Sequence, residues 1–184
     1  ENSYSSELWK GGFQWGASLA YTLGFAEERG TLFNFDYPTV KDSPITPTTT
    51  DERHRLVLSG IVGLPLDFKL STLITLGSGV PFTISDASKG FGPTEFVLRR
   101  NGGRADGLIQ FSQVDVRLAK DFMLSEGRRI SAFAECFNVF NAKNFGNYDG
   151  FIPPEAEPEN PKFGQPSKLV GPPRNFQFGM GYSF

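Results

Sequence analysis

One cysteine and one histidine are all that this chain of 184 residues holds of the side chains that most often build disulfides, metal sites and catalytic bases. Cys136 on its own excludes an internal disulfide, and His54 on its own leaves little room for imidazole chemistry. Long apolar runs are missing as well, and nothing approaches the ~18 residues of a membrane-spanning helix. Charge is sparse and nearly balanced, 18 Lys+Arg against 20 Asp+Glu, which points neither to a nucleic-acid partner nor to an acidic tail. No basic-then-apolar leader precedes ENSYSSELWK and no initiator Met is present, so a mature chain or a piece of a longer one is expected.

Abundance lies in 19 Phe and 21 Gly. In LWKGGFQWGASLAYTLGFA, residues 8 to 26, Trp9, Phe13, Trp15, Leu19, Tyr21, Leu23 and Phe25 take the odd positions, and Lys10, Gln14, Ser18 and Thr22 even ones. Helical apolar positions recur at three and four, so a period of two over about nine repeats means a strand. At ~3.3 Å per residue it is about 60 Å long, far beyond the ~5 to 6 residues usual in soluble sheets. Five further strands are expected at about 52–66, 68–84, 110–122, 129–141 and 174–184. Leu56, Leu58, Val62 and Leu64 oppose Arg53, Arg55 and Ser59, with Ile61 on the polar side. Phe68, Leu70, Ile74 and Leu76 oppose Lys69, Ser71 and Thr75, with Thr72 and Leu73 on the wrong sides. Val114, Val116, Leu118 and Phe122 oppose Gln113, Asp115, Arg117 and Asp121.

Tight turns at 65–67 (PLD) and 124–129 (LSEGRR) alternate strictly with long connections at about 27–51, 85–109 and 142–173. Compact soluble domains seldom carry several loops beyond ~12 to 15 residues, whereas outer-membrane barrels have short periplasmic turns and long outer loops. Pro and Gly keep the long loops out of regular ladders, although TLFNFDY and TEFVL are able to extend the hairpins.

Lipid offers no hydrogen-bond partner, so strands cross it only in a closed sheet with a large apolar face outward and a small or polar face inward. The segment at 8–26 fits: its second face is Gly, Ala and Ser, where a soluble sandwich strand would carry Lys, Glu and Thr. With a tilt of about 45°, Trp9 and Tyr21 stand roughly 28 Å apart along the bilayer normal, matching aromatic girdles at the edges of a ~25 Å apolar band. In 129–141, keeping Glu135 from lipid turns Ile130, Ala132, Ala134 and Cys136 outward and Phe133 and Phe137 inward, with a bulge near FNVFN. Lys69, Asp115, Arg117, Asp121 and Glu135 then face the lumen, where they are able to pair with a plug or line a passage. Six strands are fewer than the ~8 at which single-chain bacterial barrels begin, so the expected fold is all-β: an up-and-down antiparallel segment of a larger transmembrane barrel.

QFGMGYSF at 177–184 carries Gln177, Gly179, Tyr182 and Phe184, and this polar, Gly, aromatic, terminal-Phe pattern resembles the C-terminal signal by which the assembly machinery recognises outer-membrane barrels. DERHRLVLSGIVGLPL, LITLGSGVPFTI, QVDVRLAKDF and FAECFNVFNAKNFG resemble the last strands of TonB-dependent outer-membrane transporters, closest to the Oar-like branch. The resemblance covers nearly all of residues 8–184. It implies a barrel of about 22 strands, of which these are the final six, with 174–184 closing against a first strand. It also implies a bacterial outer-membrane location, lipid and assembly-machinery partners, and a plug with TonB coupling, for which this sequence has no counterpart. Alone, the piece is expected to be a curved open sheet prone to aggregate.

Other motifs weigh less. GSGVPF at 77–82 lacks GxGxxG spacing and a following helix, so it reads as a strand that bends. His54 beside Asp51 and Glu52 reads as a polar residue at a strand mouth, Glu155, Glu157 and Glu159 as a solvated loop able to help hold calcium, and Arg99, Arg100 and Arg104 as a basic cluster able to meet lipopolysaccharide phosphates or an anionic ligand. No catalytic set, cofactor site or metal site is expected. The functions that remain are nutrient import, adhesion through the long loops and, behind both, an outer-membrane enzyme.

Overall fold

The computed structural model describes residues 2–7, 14–29, 38–88, 94–97 and 109–184. Fourteen strands and no α-helix occur among them: β1 (Asn2–Glu7), β2 (Gln14–Leu23), β3 (Glu27–Arg29), β4 (Ile45–Pro47), β5 (His54–Leu64), β6 (Phe68–Gly77), β7 (Phe82–Asp86), β8 (Thr94–Val97), β9 (Phe111–Met123), β10 (Arg129–Phe137), β11 (Phe145–Tyr148), β12 (Phe151–Ile152), β13 (Pro166–Leu169) and β14 (Asn175–Ser183).

Seven of these make one antiparallel sheet in the order β1-β2-β5-β6-β9-β10-β14. The order follows the chain, as an up-and-down wall requires. The sheet is open, since β1 and β14 pair with a neighbour on one side only among the described residues. Two corrections to the expected strands follow. The sheet has a seventh member, β1, whose sequence NSYSSE lacks the alternating bulk that marks the others. β2, β5, β6, β10 and β14 are also shorter than expected, with β2 ending at Leu23, β6 at Gly77 and β10 at Phe137, while β9 keeps the expected length and 8–13 lie outside the described residues.

Two of these early ends have a local cause. At Gly77 a Cβ would collide with the Glu52 carboxylate, and Gly79 then turns the chain with φ +74°. The bend expected at GSGVPF is therefore real, and β7 leaves for another sheet. β10 ends because Asn138 and Asn141 both take φ 51°, left-handed backbone that Asn tolerates better than most residues. The bulge expected near FNVFN is thus a clamped turn. Buried Asn138 donates through Nδ2 to the carbonyls of Ala142 and Pro172 (both 3.0 Å) and accepts from the Ala142 amide at 2.8 Å. Asn144 copies a strand partner, its Oδ1 accepting from the Ser112 amide at 2.8 Å and its Nδ2 donating to the Ser112 carbonyl at 3.1 Å. Asn138→Ala is expected to destabilise the folded protein by about 2 kcal/mol, and Asn138→Gly by about 1 kcal/mol less because it keeps the left-handed backbone. Urea unfolding in detergent followed by tryptophan fluorescence measures both.

The tight turns are 3-10 segments at Pro65–Asp67 and Ser125–Gly127, with Leu66 and Asp67 at positive φ in the first. They share one end of the sheet, and the long connections share the other. Among the described residues of these connections, β3 pairs with β4, β7 pairs with β8 and in parallel with β12, and β11 pairs with β13. TEFV of TEFVL does extend a hairpin, whereas TLFNFDY at 31–37 lies outside the described residues. The buried apolar core among the described residues is here, in Phe82, Ile84 and Tyr148 with Phe145, Ile152 and Phe163 packed around them.

Among the described residues the large sheet has no such cover. Its register lines up Trp15, Val62, Leu70, Leu118, Ala134 and Phe178 in one row and Leu19, Leu58, Ile74 and Val114 in another, so one face is apolar across six strands. Phe178 and Met180 on that face are 75% and 79% exposed. Ile130, Ala132, Ala134 and Cys136 lie on it and Phe133 and Phe137 on the other, as expected.

Candidate functional site

The opposite face begins with small residues. Gly16, Ser18 and Ala20 of β2 stand in rows with Ile61, Ser59 and Val57 of β5, and Ser18 and Ser59 share a 2.7 Å hydrogen bond. Further along, the register brings Lys69, Asp115, Arg117, Asp121 and Glu135 onto this same face. They do not act alike. Lys69 Nζ donates to Asp121 Oδ2 at 3.2 Å, and Ser131 Oγ, opposite in the ladder, donates to Asp121 Oδ1 at 2.6 Å. Arg117 Nη1 meets Glu135 Oε1 at 2.9 Å, again directly across the ladder. The Asp115 carboxylate instead accepts from Gln113 Nε2 (3.0 and 2.9 Å) and from the Asn138 amide (2.8 Å), which makes it a clamp for the turn after β10. Four of the five charges are therefore two ion pairs on a solvent-accessible wall, and pairs of that kind add little stability. Arg117→Met is expected to shift the unfolding free energy of the protein in detergent by less than about 1 kcal/mol.

Phe133 explains the neighbouring strand. The Arg117 guanidinium lies 3.9 Å above its ring centroid, and the ring covers Gly179 so closely that any Cβ there would strike it. Gln177 faces Glu135 in the ladder, and Tyr182, opposite Ile130, belongs to the apolar face. Tyr182 stacks near Phe184 with centroids 6.0 Å apart.

At the other end of the sheet Tyr21 is exposed and its hydroxyl bonds His54 Nδ1 at 2.8 Å. His54 opens β5, with its amide donating to Ser78 Oγ at 3.0 Å, so the strand-mouth position is as expected. Its acidic neighbours are held elsewhere: buried Asp51 by Arg53 at 3.0 Å, and Glu52 by Arg55 at 2.9 Å. Arg53 also caps the Phe25 ring at 3.9 Å. Adjacency in sequence does not become a His–carboxylate pair in space. Trp9, which the sequence pairs with Tyr21 as an expected girdle residue, and Arg99, Arg100 and Arg104 lie outside the described residues.

One charge on the apolar face had no sequence-level reading. Lys120 stands in the row of Phe68 and Met180, near the end with the tight turns. Its ammonium sits 4.5 Å from the Phe68 ring centroid and 5.0 Å from that of Phe122, a geometry that lets a long side chain run along apolar surface to a polar boundary.

Beyond the sheet, the connections 85–109 and 142–173 are joined. β12 lies parallel to β7, pairing Phe151 with Ser85 and Ile152 with Asp86, and the Ala87 amide adds a 2.9 Å bond to the Ile152 carbonyl. Gly150 fits because a side chain there would meet the backbone of Thr83 and Ile84. A cavity of about 480 Å³ opens beside this junction, with Phe151, Ile152, Phe163 and Glu155 among its walls. Among the described residues no group of three or more His, Cys, Asp or Glu side chains is gathered to hold a metal ion. No helix among them is long and apolar enough to cross a membrane, a statement that does not bear on strands.

Comparison with known proteins adds no relative: no family model, no curated protein and no solved structure matches the chain.

Proposed function

We propose that this chain is part of the wall of a bacterial outer-membrane β-barrel, from the C-terminal part of a TonB-dependent receptor of the Oar-like kind that imports a bulky, scarce nutrient. The observation that carries the reading is the seven-stranded sheet with one apolar face uncovered and the other lined by small residues and paired charges. Exposed apolar patches of more than a few hundred Å² are rare on soluble monomers. In lipid the same face is the natural surface, and the small and polar face suits a filled lumen. The open edges at β1 and β14 argue for further strands, since unpaired amides cost several kcal/mol each in hydrocarbon.

On this reading the turns at 65–67 and 124–129 are periplasmic, and the loops at 27–51, 85–109 and 142–173 form the ligand vestibule. Gln177, Gly179, Tyr182 and Phe184 are read by the assembly machinery, and the plug and its TonB coupling belong to the rest of the protein. Siderophores, cofactors and oligosaccharides are the candidate nutrient classes. Deleting the gene is expected to lower uptake of at least one of these, and the intact protein is expected in outer-membrane fractions, extracted only by detergent. A monomer soluble without detergent would falsify the membrane assignment. A second reading, surface adhesion through the same loops, is favoured by their ordered shared core. It predicts normal uptake and lost cell contact when the loops are deleted.

A further inference from the structure

We infer that the junction of the second and third long connections is a binding site for a small organic cation, a protonated amine or guanidinium carried on an apolar body. The cavity of about 480 Å³ is within the size range of small-molecule sites. Its floor is apolar: Phe151, Ile152, Pro153, Pro154 and Phe163. Ile152 and Phe163 are themselves packed on the buried core of Phe82, Ile84 and Tyr148, so the floor is set before any ligand arrives.

Polar contacts hold the surround in the same way. Asn160 Nδ2 bridges Asp149 Oδ1 at 2.8 Å and the Phe151 carbonyl at 2.9 Å, and the Glu157 amide closes a turn onto the Pro154 carbonyl at 2.9 Å. With Pro153, Pro154, Pro158 and Pro161 limiting the backbone, little ordering cost remains to be met on binding.

The charge around this floor is of one sign. Glu155, Glu157 and Glu159 all line the cavity, and none has an ion-pair partner among the described residues. Asp51, Glu52, Asp121 and Glu135 are each matched by a cation, whereas Glu27, Glu28 and Asp67, like these three, have no ion pair among the described residues. Three unmatched carboxylates over an apolar floor complement a ligand that is positive at one end and hydrophobic along its body. A hydrated divalent cation gains nothing from such a floor, and the three carboxylates are not gathered as a metal-holding group.

The site stands on its geometry. It borrows from the proposed function only the side of the membrane from which the ligand comes. The test is calorimetric titration of the intact protein in detergent with phenylbutylammonium, phenylbutanol and phenylbutyrate, three probes that share a body and differ in charge. Saturable binding of the ammonium, about tenfold weaker binding of the alcohol and no binding of the acid are expected. Replacing Glu155, Glu157 and Glu159 together by Gln, at exposed positions that leave the loop core untouched, is expected to weaken the ammonium about tenfold and leave the alcohol unchanged. Phe151→Ser is expected to weaken both. Equal affinity for ammonium and alcohol, no saturable ammonium binding, an unchanged triple variant, or calcium displacing the ammonium in competition overturns the proposal. Binding without uptake of the same compound counts against the transport reading and supports the site, whereas uptake without binding does the reverse.

Discussion

Phe178→Arg is expected to destabilise the protein about as much as Leu58→Arg, by roughly 2–4 kcal/mol each, although the two residues differ sharply in how much protein surrounds them. Leu58 lies midway along β5 between Leu19 and Ile74. Phe178 lies midway along the edge strand β14 and is 75% exposed. In water, a substitution at so open a site moves stability by about ±0.5 kcal/mol. In a bilayer the charge is penalised by its depth and not by its neighbours, and on the proposed barrel reading both positions are near mid-depth. Tyr21→Arg, at the proposed girdle, is expected to lose no more than about 1 kcal/mol, and Ser59→Arg, one residue from Leu58 but on the other face, about 0.5 kcal/mol. Reversible denaturant unfolding of the intact protein in lipid vesicles gives all four values. A negligible loss at Phe178 beside a large one at Leu58 identifies a soluble sheet whose edge is simply open, and the barrel reading fails with it.

Gly179→Val is expected to block stable folding, and Gly179→Ala to cost about 1–3 kcal/mol, because any Cβ meets the Phe133 ring. Glycine at this point of the C-terminal pattern thus has a packing reason separate from the proposed recognition by assembly factors. The two reasons are separable in a double-mutant cycle. Phe133→Ala removes the ring, so adding Gly179→Ala to it is expected to cost almost nothing further, a coupling of about 1–3 kcal/mol. Stability restored in the double variant, with outer-membrane assembly still impaired, assigns the residue to recognition as well. Strict additivity of the two single losses overturns the steric account.

Much of the wall was legible because a period of two survives any uncertainty about boundaries. The alternation in residues 56–64, 68–76 and 113–122 set the named apolar and polar side chains on the faces where they stand, including the misfits Ile61, Thr72 and Leu73, and left Lys120 unread. Thr72 resolves its own misplacement by donating from Oγ1 to the Asp115 carbonyl at 3.1 Å. Strand ends were less legible, because they are set by single contacts across long sequence separations: Glu52 against Gly77, Asn144 against Ser112, Asn138 against Pro172. A hint was present in the three Asn of FNVFNAKN, a residue that suits left-handed backbone and caps turns through its side chain. The distinction between Asp115 and the other charges on its face was not readable, since it depends on which partner each reaches. Nor was the loop cavity, because its floor and rim come together through a parallel pairing of two short segments about 65 residues apart, a feature that leaves no periodic trace.

That pairing makes the second and third connections a single mechanical plate. With β12 seated against β7 and Phe82, Ile84 and Tyr148 held in common, neither connection is an interchangeable cassette. Grafted alone onto another protein, either would arrive without half of its own interior. A displacement of one carries the other, swinging from the ends of β6 and β10 where Gly79 and Asn138 reverse the backbone.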